Sequence, residues 1–411
     1  MRVLVVSNLF PPIVRGGYEV ECRDIVDHLR GAHDVVVLSS DHRRAECPPQ
    51  EGVLRVLPFA DDDRAGILRA PVAAVRGKRV MRRVLAEQRP DLVYVWNAAG
   101  LPFSALHVLH GSGVPVAYRV CEHWFGAIYD GDLFMRFLKG RHRGLRGLWA
   151  LAMRAVNRLP ALRLGDHPPV PVAISWNGQF IRAAAGVPRV LAPVLEDVVH
   201  PVNAASDALA DAGGGTPTDP PTVLFVGRLE AQKGVGVAIR ALADLERRHG
   251  RLAGLTVVGD GAPGAREDLE ALAAREGVAA RVRFTGPLHG AALREAVAHA
   301  SAWVVPSTWD EPAPMVCIEA ALAGVPVIAS RVGGIPELLR DGDHALLFER
   351  GDHAGCADAL ATTLQGDGVA ERVRRARARG QELSHGPYLV AMDDFLARAA
   401  QALGAGRPPE G

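Results

Sequence analysis

Lysine is almost missing from this 411-residue chain: of 47 basic residues only Lys78, Lys139 and Lys233 are lysines, so a lysine inside a motif carries information. Cysteine is scarce and scattered. Cys22, Cys47, Cys121, Cys317 and Cys356 are odd in number, with no pair at CxxC spacing and no histidine cluster beside them, so neither a disulfide framework nor a structural zinc site is indicated. No window approaches the run of about twenty apolar residues that a membrane-spanning helix requires. The apolar start Val3 to Val6 is cut short by Ser7, Asn8 and the Pro11-Pro12 pair, too soon for a secretory signal, and the expected location is the cytoplasm. A formal charge of +1 argues against a protein that coats nucleic acid.

What is present fits two globular domains. The length exceeds one typical domain, and 48% apolar with 23% charged residues is ordinary for a packed protein. Charge is unevenly divided: residues 1–200 carry a balance of +7 and the remainder −6, so the halves face different partners.

Short β-branched runs alternate with amphipathic stretches. Val3–Ser7, Val35–Ser39, Val53–Leu57, Leu92–Trp96, Val114–Val120 and Val172–Ser175 read as strands, and the rhythm restarts with Thr222–Val226, Leu255–Val258, Val282–Phe284, Ala302–Val305, Val325–Ala329 and Ala345–Phe348. This βαβ rhythm predicts two doubly wound parallel sheets, each covered by helices. A Gly, Pro and small-polar stretch from about 194 to 221 interrupts it. The expected division is a first domain over 1–195, a linker over 196–221, a second domain over 222–385, and a terminal amphipathic helix within 386–411 that packs back on the first domain. Ligands of such sheets bind beyond the carboxyl ends of strands, so the chemistry is sought there.

Three motifs stand at such places. After the first strand, Gly16-Gly17 precedes a helical pattern, where backbone N–H groups and the helix dipole suit an anion; taken alone it reads first as a plain strand-to-helix turn. After Val223–Val226 come Gly227, Arg228 and Lys233, two cations that can converge on a diphosphate and stabilise it as it departs. After Ala302–Val305 comes Trp309-Asp310-Glu311-Pro312-Ala313-Pro314-Met315-Val316-Cys317-Ile318-Glu319. Glu311 sits in the loop and Glu319 about two turns down the next helix, carboxylates able to hold vicinal hydroxyls, while Met315 and Val316 N–H groups lie near the helix start.

With these motifs the chain resembles glycosyltransferase family 4, a retaining family with the GT-B fold of two Rossmann-like domains facing a central cleft. The resemblance also rests on Val258-Gly259-Asp260-Gly261, Val282 to Gly286, Ala323 to Ile328 and Gly333-Gly334-Ile335-Pro336-Glu337. It implies a metal-independent hexosyltransferase that needs no cofactor beyond a nucleotide-sugar cosubstrate, with a UDP-sugar favoured, and a hydroxyl-bearing acceptor on a glycan, lipid-linked or natural-product substrate. Arg228 and Lys233 would bind the diphosphate, Glu319 the ribose, and Glu311 with Met315 and Val316 the transferring sugar. Gly16 and Gly17 would close over the phosphate, with Gly227, Gly259 and Phe284 bordering the nucleotide. Relatives usually carry His-Asp after the strand ending near Val120; here Cys121-Glu122-His123 stands, so either His123 substitutes or the sugar is contacted differently. Pro314 replaces a common glycine, and the linker lacks the familiar Pro-Asn-Gly.

Asp130-Gly-Asp132 and Asp341-Gly-Asp343 mimic a metal-binding Asp-x-Asp but read as turns. Residues Arg136 to Arg163 hold eight basic side chains and no acidic one, with apolar residues at near-helical spacing. That stretch fits an anionic membrane at the cell's inner face, a phosphorylated acceptor, or simply a solvated face. A nucleotide-sugar epimerase or hydrolase, and a non-catalytic sugar-nucleotide-binding subunit, are the competing readings; an NAD-dependent oxidoreductase fails for want of an early GxGxxG.

Overall fold

The computed structural model describes residues 1–59, 64–126, 144–156, 170–188, 191, 193–200, 207–213 and 218–404. The chain forms two compact units: Met1–Asn177 with Ile181–His200 and Leu389–Gly411, and Gly178–Phe180 with Pro201–Tyr388.

Among the described residues the first unit holds a seven-stranded, wholly parallel sheet. Its strands are β1 (Arg2–Ser7), β2 (Asp34–Ser40), β3 (Val53–Leu57), β4 (Leu92–Asn97), β5 (Val116–Val120), β6 (Val172–Trp176) and β7 (Val194–Val199), in the order β3-β2-β1-β4-β5-β6-β7. Central strands are buried along their length because helices cover both faces, which is why they read as mostly Val, Ile, Leu, Ala and aromatic runs, with Arg119 in β5 and Ser175 in β6 buried among them. The edge strand β7 is only half-buried and carries Glu196 and Asp197, so its composition resembles a loop. The Gly- and Pro-rich shift near 194 therefore overstates the break: pairing with β6 continues from Val194 to Val199.

The second unit holds a six-stranded parallel sheet among the described residues. Its strands are β8 (Thr222–Val226), β9 (Gly254–Val258), β10 (Val282–Gly286), β11 (Ala300–Val305), β12 (Val327–Ser330) and β13 (Ala345–Phe348), ordered β10-β9-β8-β11-β12-β13. The helices Val235–His249 and His353–Gln365 bury Ile239, Leu242, Leu245, Cys356 and Leu360 on this sheet with Val223, Phe225, Leu255, Val257 and Val304. In each unit the strand order reverses once, between β1 and β4 and between β8 and β11. There successive connections depart to opposite sides and open a crevice at the carboxyl ends.

The last helix, His385–Gly404, starts in the second unit and ends in the first. Within the first unit its Met392, Phe395, Leu396 and Ala399 are buried, Phe395 lies 6.4 Å from the Tyr94 ring, and Asp393 meets His28 at 2.7 Å.

Candidate active site

The loops after β8 and β11 flank the crevice of the second sheet. Two contacts zip them together. The Thr308 N–H donates to the Gln232 carbonyl at 2.8 Å. Gly234 has φ +73° and lies so near Pro306 that a Cβ would stand 1.8 Å from its carbonyl oxygen, an approach only glycine permits. Lys233 consequently ends a 3₁₀ turn, Ala231–Lys233, just before the helix Val235–His249 rather than inside it.

This places the Lys233 ammonium 2.6 Å from Oε1 of Glu311 and 5.5 Å from the centroid of the Trp309 ring. The Ser307 hydroxyl donates to the same Oε1 at 2.7 Å. Glu311 is nearly enclosed, its side chain 5% exposed, while that of Lys233 is 22% exposed. Deleting one member of such a buried pair strands the other's charge, a cost of about 3–5 kcal/mol. The backbone of Glu311 is fixed from behind: Gly334 N–H donates to its carbonyl at 2.8 Å, and a Cβ on Gly333 (φ +52°) would fall 2.1 Å from that oxygen. The Gly333-Gly334 motif thus shapes the seat of Glu311.

Arg228, on the same loop as Lys233, is 54% exposed and paired with Glu230, which Gln232 also holds at 2.7 Å. Proline at 312 and 314 delays the following helix to Met315–Ala323, with Pro314 at its cap position and no side-chain cap. The first-turn N–H groups of Met315 and Val316 therefore face the crevice end of the helix. Glu319 falls about one turn in, not two. It is half-buried, and burial pushes its carboxyl up to about 7.

The remaining expected residues of this unit have structural neighbours of their own. Gly227 and Gly259 abut at the ends of β8 and β9, where a Cβ on Gly259 would lie 1.9 Å from the Gly227 carbonyl oxygen. Phe284 packs on the apolar core with the Arg266 guanidinium 5.7 Å above its ring, so its backbone rather than its ring is available to a ligand. Asp341 accepts from Arg331 at 2.6 Å and from the Leu347 N–H, while Asp343 pairs with Arg340 and Arg375, so these carboxylates already serve arginines. Asp130 and Asp132 lie outside the described residues. Among the described residues no three His, Cys, Asp or Glu side chains gather as a metal ion would require.

In the first unit Gly16 caps the helix Gly17–Leu29. The buried Glu19 carboxylate accepts the Gly16 N–H at 2.9 Å and the Arg15 N–H at 3.2 Å, the half of a capping box that a glycine cap permits. The Gly16 N–H expected to face a phosphate is thus already used. Tyr18 lies against the Trp96 and Arg119 carbonyls, anchoring this helix to the ends of β4 and β5. Cys121 is buried and its thiol is pushed up by burial, so it stays a neutral thiol. His123 stands exposed in a 3₁₀ turn two residues on. The end of β5 carries a network invisible to sequence reading: the fully buried Arg119 reaches Ser175 Oγ at 3.0 Å, Asn177 Oδ1 at 3.3 Å and Glu21 at 3.5 Å.

Of the basic stretch, Arg136, Lys139, Arg141, Arg143, Arg158 and Arg163 lie outside the described residues. Its described part is the helix Leu145–Val156, where Leu148 and Leu151 are 67% and 64% exposed and Arg154 is exposed too. No helix among the described residues is long and apolar enough to cross a membrane.

Comparison with known proteins gives the family and the fold. Residues 220–366 match the family described as glycosyl transferases group 1. The chain is 30% identical to the glycogen synthase of Mycobacterium tuberculosis over 408 residues, covering 93% of this chain and 90% of that protein. Among solved structures, sucrose-phosphate synthase from Thermosynechococcus elongatus superposes with a TM-score of 0.67 at 18% identity, covering 98% of this chain and all of that one. Anabaena HepE in complex with UDP-glucose does so with a TM-score of 0.61 at 20% identity, over 97% of this chain and 100% of that one. The fold is GT-B.

Proposed function

The chain belongs to the glycosyl transferases group 1 family and is a glycosyltransferase that uses nucleotide-sugar donors, and from that premise we propose that it transfers a hexosyl group to a hydroxyl acceptor with retention of configuration and without a metal ion. The observation that carries this reading is the meeting of Lys233 and Glu311 at the reversal point of the second sheet, a fixed cation beside a fixed hydroxyl acceptor. Arg228 and Lys233 bind the donor diphosphate, Glu319 the ribose, and Glu311 with the N–H groups of Met315 and Val316 the sugar. As the glycosidic bond to the diphosphate breaks, negative charge grows on the leaving phosphate, and preorganised cations stabilise it most in that state. The leaving diphosphate can take the acceptor's proton, so no side chain is assigned as base. A UDP-sugar is the donor favoured, as in the complex of the Anabaena relative.

The test is turnover of UDP-, GDP-, ADP- and TDP-sugars against hydroxyl acceptors, with and without EDTA, and with the product anomer read by NMR. Retained configuration and undiminished rate in EDTA are expected. An inverted product overturns the retaining assignment, and activity restored only by magnesium or manganese overturns the role given to the two cations. Free sugar or an epimer formed without acceptor favours a hydrolase or epimerase instead.

We further assign the helix Leu145–Val156 to an anionic membrane surface. Two adjacent exposed leucines on an amphipathic helix, within a sequence stretch holding eight basic and no acidic residues, suit the boundary between headgroups and acyl chains.

A further inference from the structure

Each cation assigned to the diphosphate already has a carboxylate partner, and the two pairs differ in kind. Arg228 and Glu230 have side chains 54% and 35% exposed, so water readily replaces either partner. Lys233 and Glu311 are shielded, with side chains 22% and 5% exposed. Glu311 is held at the site, its backbone by the Gly334 N–H on its carbonyl and its carboxylate by Ser307 and Lys233. A phosphate brought to Lys233 therefore approaches a fixed, desolvated negative charge. Among the described residues both side-chain donors, Lys233 and Ser307, land on Oε1, which leaves Oε2 for a hydroxyl of the ligand.

Resting on the nucleotide-sugar reading above, we propose that Glu311 and Ser307 make the site selective for a nucleotide that still carries its sugar: Glu311 competes with the diphosphate for Lys233, a sugar hydroxyl donating to Oε2 offsets the repulsion, and Ser307 determines which oxygen is presented. Glu311 contacts the ligand; Ser307 is a positioning residue that acts through it. The chemistry has a consequence for turnover. Once the sugar has left, the nucleoside diphosphate faces the Glu311 charge with nothing donating to Oε2, and it is released.

Titration calorimetry with UDP, GDP, ADP and TDP, each free and as its glucose ester, tests this on the full-length protein. The wild type is expected to bind the glucose ester of its preferred nucleotide at least about tenfold more tightly than the free diphosphate. Glu311→Gln removes the competing charge, so free diphosphate should bind about threefold or more tighter while the ester binds weaker, and the ratio collapses towards one. Ser307→Ala should weaken the ester and leave the free diphosphate unchanged, and Ser307→Thr, which keeps the hydroxyl, should restore the ratio. Circular dichroism checks folding; if Glu311→Gln unfolds, the Ser307 pair decides alone. Free diphosphate bound no better by Glu311→Gln, or a ratio indifferent to Ser307→Ala, overturns the proposal while nucleotide-sugar binding itself still stands. Failure of every nucleotide and every ester to bind overturns both this proposal and the function it rests on.

Discussion

Glu319 occupies an unusual state for a residue assigned to ribose hydroxyls: burial holds its carboxyl near 7, so at neutral pH it is divided between acid and carboxylate. Its pKa in the unfolded chain is near 4.5, so between that value and about 7 the folded protein binds the proton more than the unfolded chain does. Stability contributed by Glu319 therefore falls as pH rises through that window and levels off above it. Replacing it with Gln removes the slope, so the variant's Tm should gain on the wild type between pH 5 and pH 8, as scanning calorimetry can show. A gap constant with pH would refute the buried-acid assignment. Donor KM should fall with rising pH in the wild type as the carboxylate forms, and lose that dependence in the variant. Lys233 permits a harsher test, because a missing fixed cation acts mainly on the charged transition state. Lys233→Ala should lower kcat by at least about a hundredfold, and an unchanged kcat would place the diphosphate elsewhere. Lys233 is legible in the sequence because lysine is so scarce. Ser307 is not, since a buried serine one turn from a glutamate looks like any loop serine until the carboxylate's position is known.

At the scale of elements, what sequence reading misses follows from the same physics that makes the rest plain. Central strands announce themselves by burial on both faces, whereas β7, half-buried at an edge and bearing Glu196 and Asp197, does not. Helix starts shift where proline intervenes, as at Met315. The Gly16-Gly17 turn is visible, but its capping by Glu19 alters its use: an N–H already donated to a buried carboxylate is a poorer phosphate ligand. The helix Leu145–Val156 is the element proposed above for an anionic membrane surface. If it lies on an anionic bilayer, the protein should co-sediment with liposomes containing acidic lipid, less so at high salt, because screening shortens the reach of surface charge. Replacing Leu148 and Leu151 with Ser should abolish retention while leaving turnover of a soluble acceptor unchanged. A raised acceptor KM in Arg143→Ala/Arg146→Ala with liposome binding intact would instead assign the stretch to a phosphorylated acceptor. If neither quantity moves, it is a solvated face.

For the whole molecule, the two parallel sheets are legible because most of their strands are predominantly apolar, β-branched runs separated by helical patterns, and a parallel sheet needs a crossover after each strand. The meeting of Lys233 with Glu311, 78 positions apart, is not written in any local pattern. It depends on β8 and β11 becoming neighbours while β9 and β10 line up on the other side, an order that spacing alone does not encode. Arg228, Lys233, Glu311, Met315, Val316 and Glu319 all belong to the second unit, whereas the first unit holds the excess basic charge. A nucleoside diphosphate should therefore leave its mark on one unit. A ligand bound only by the folded state suppresses the opening of the segments that hold it. Amide hydrogen exchange with saturating free diphosphate, and then with its glucose ester, should slow in residues 227–234 and 307–319 and stay unchanged through the strands of residues 1–200. The loop at residues 15–18 is the discriminating segment: with Gly16 N–H held by Glu19, free diphosphate should not protect it further. Protection confined to the first unit would reverse the assignment of the donor. Protection of residues 15–18 together with the second unit would show that Glu19 gives up its hydrogen bonds to phosphate, returning to the glycine pair the role its position after β1 suggests.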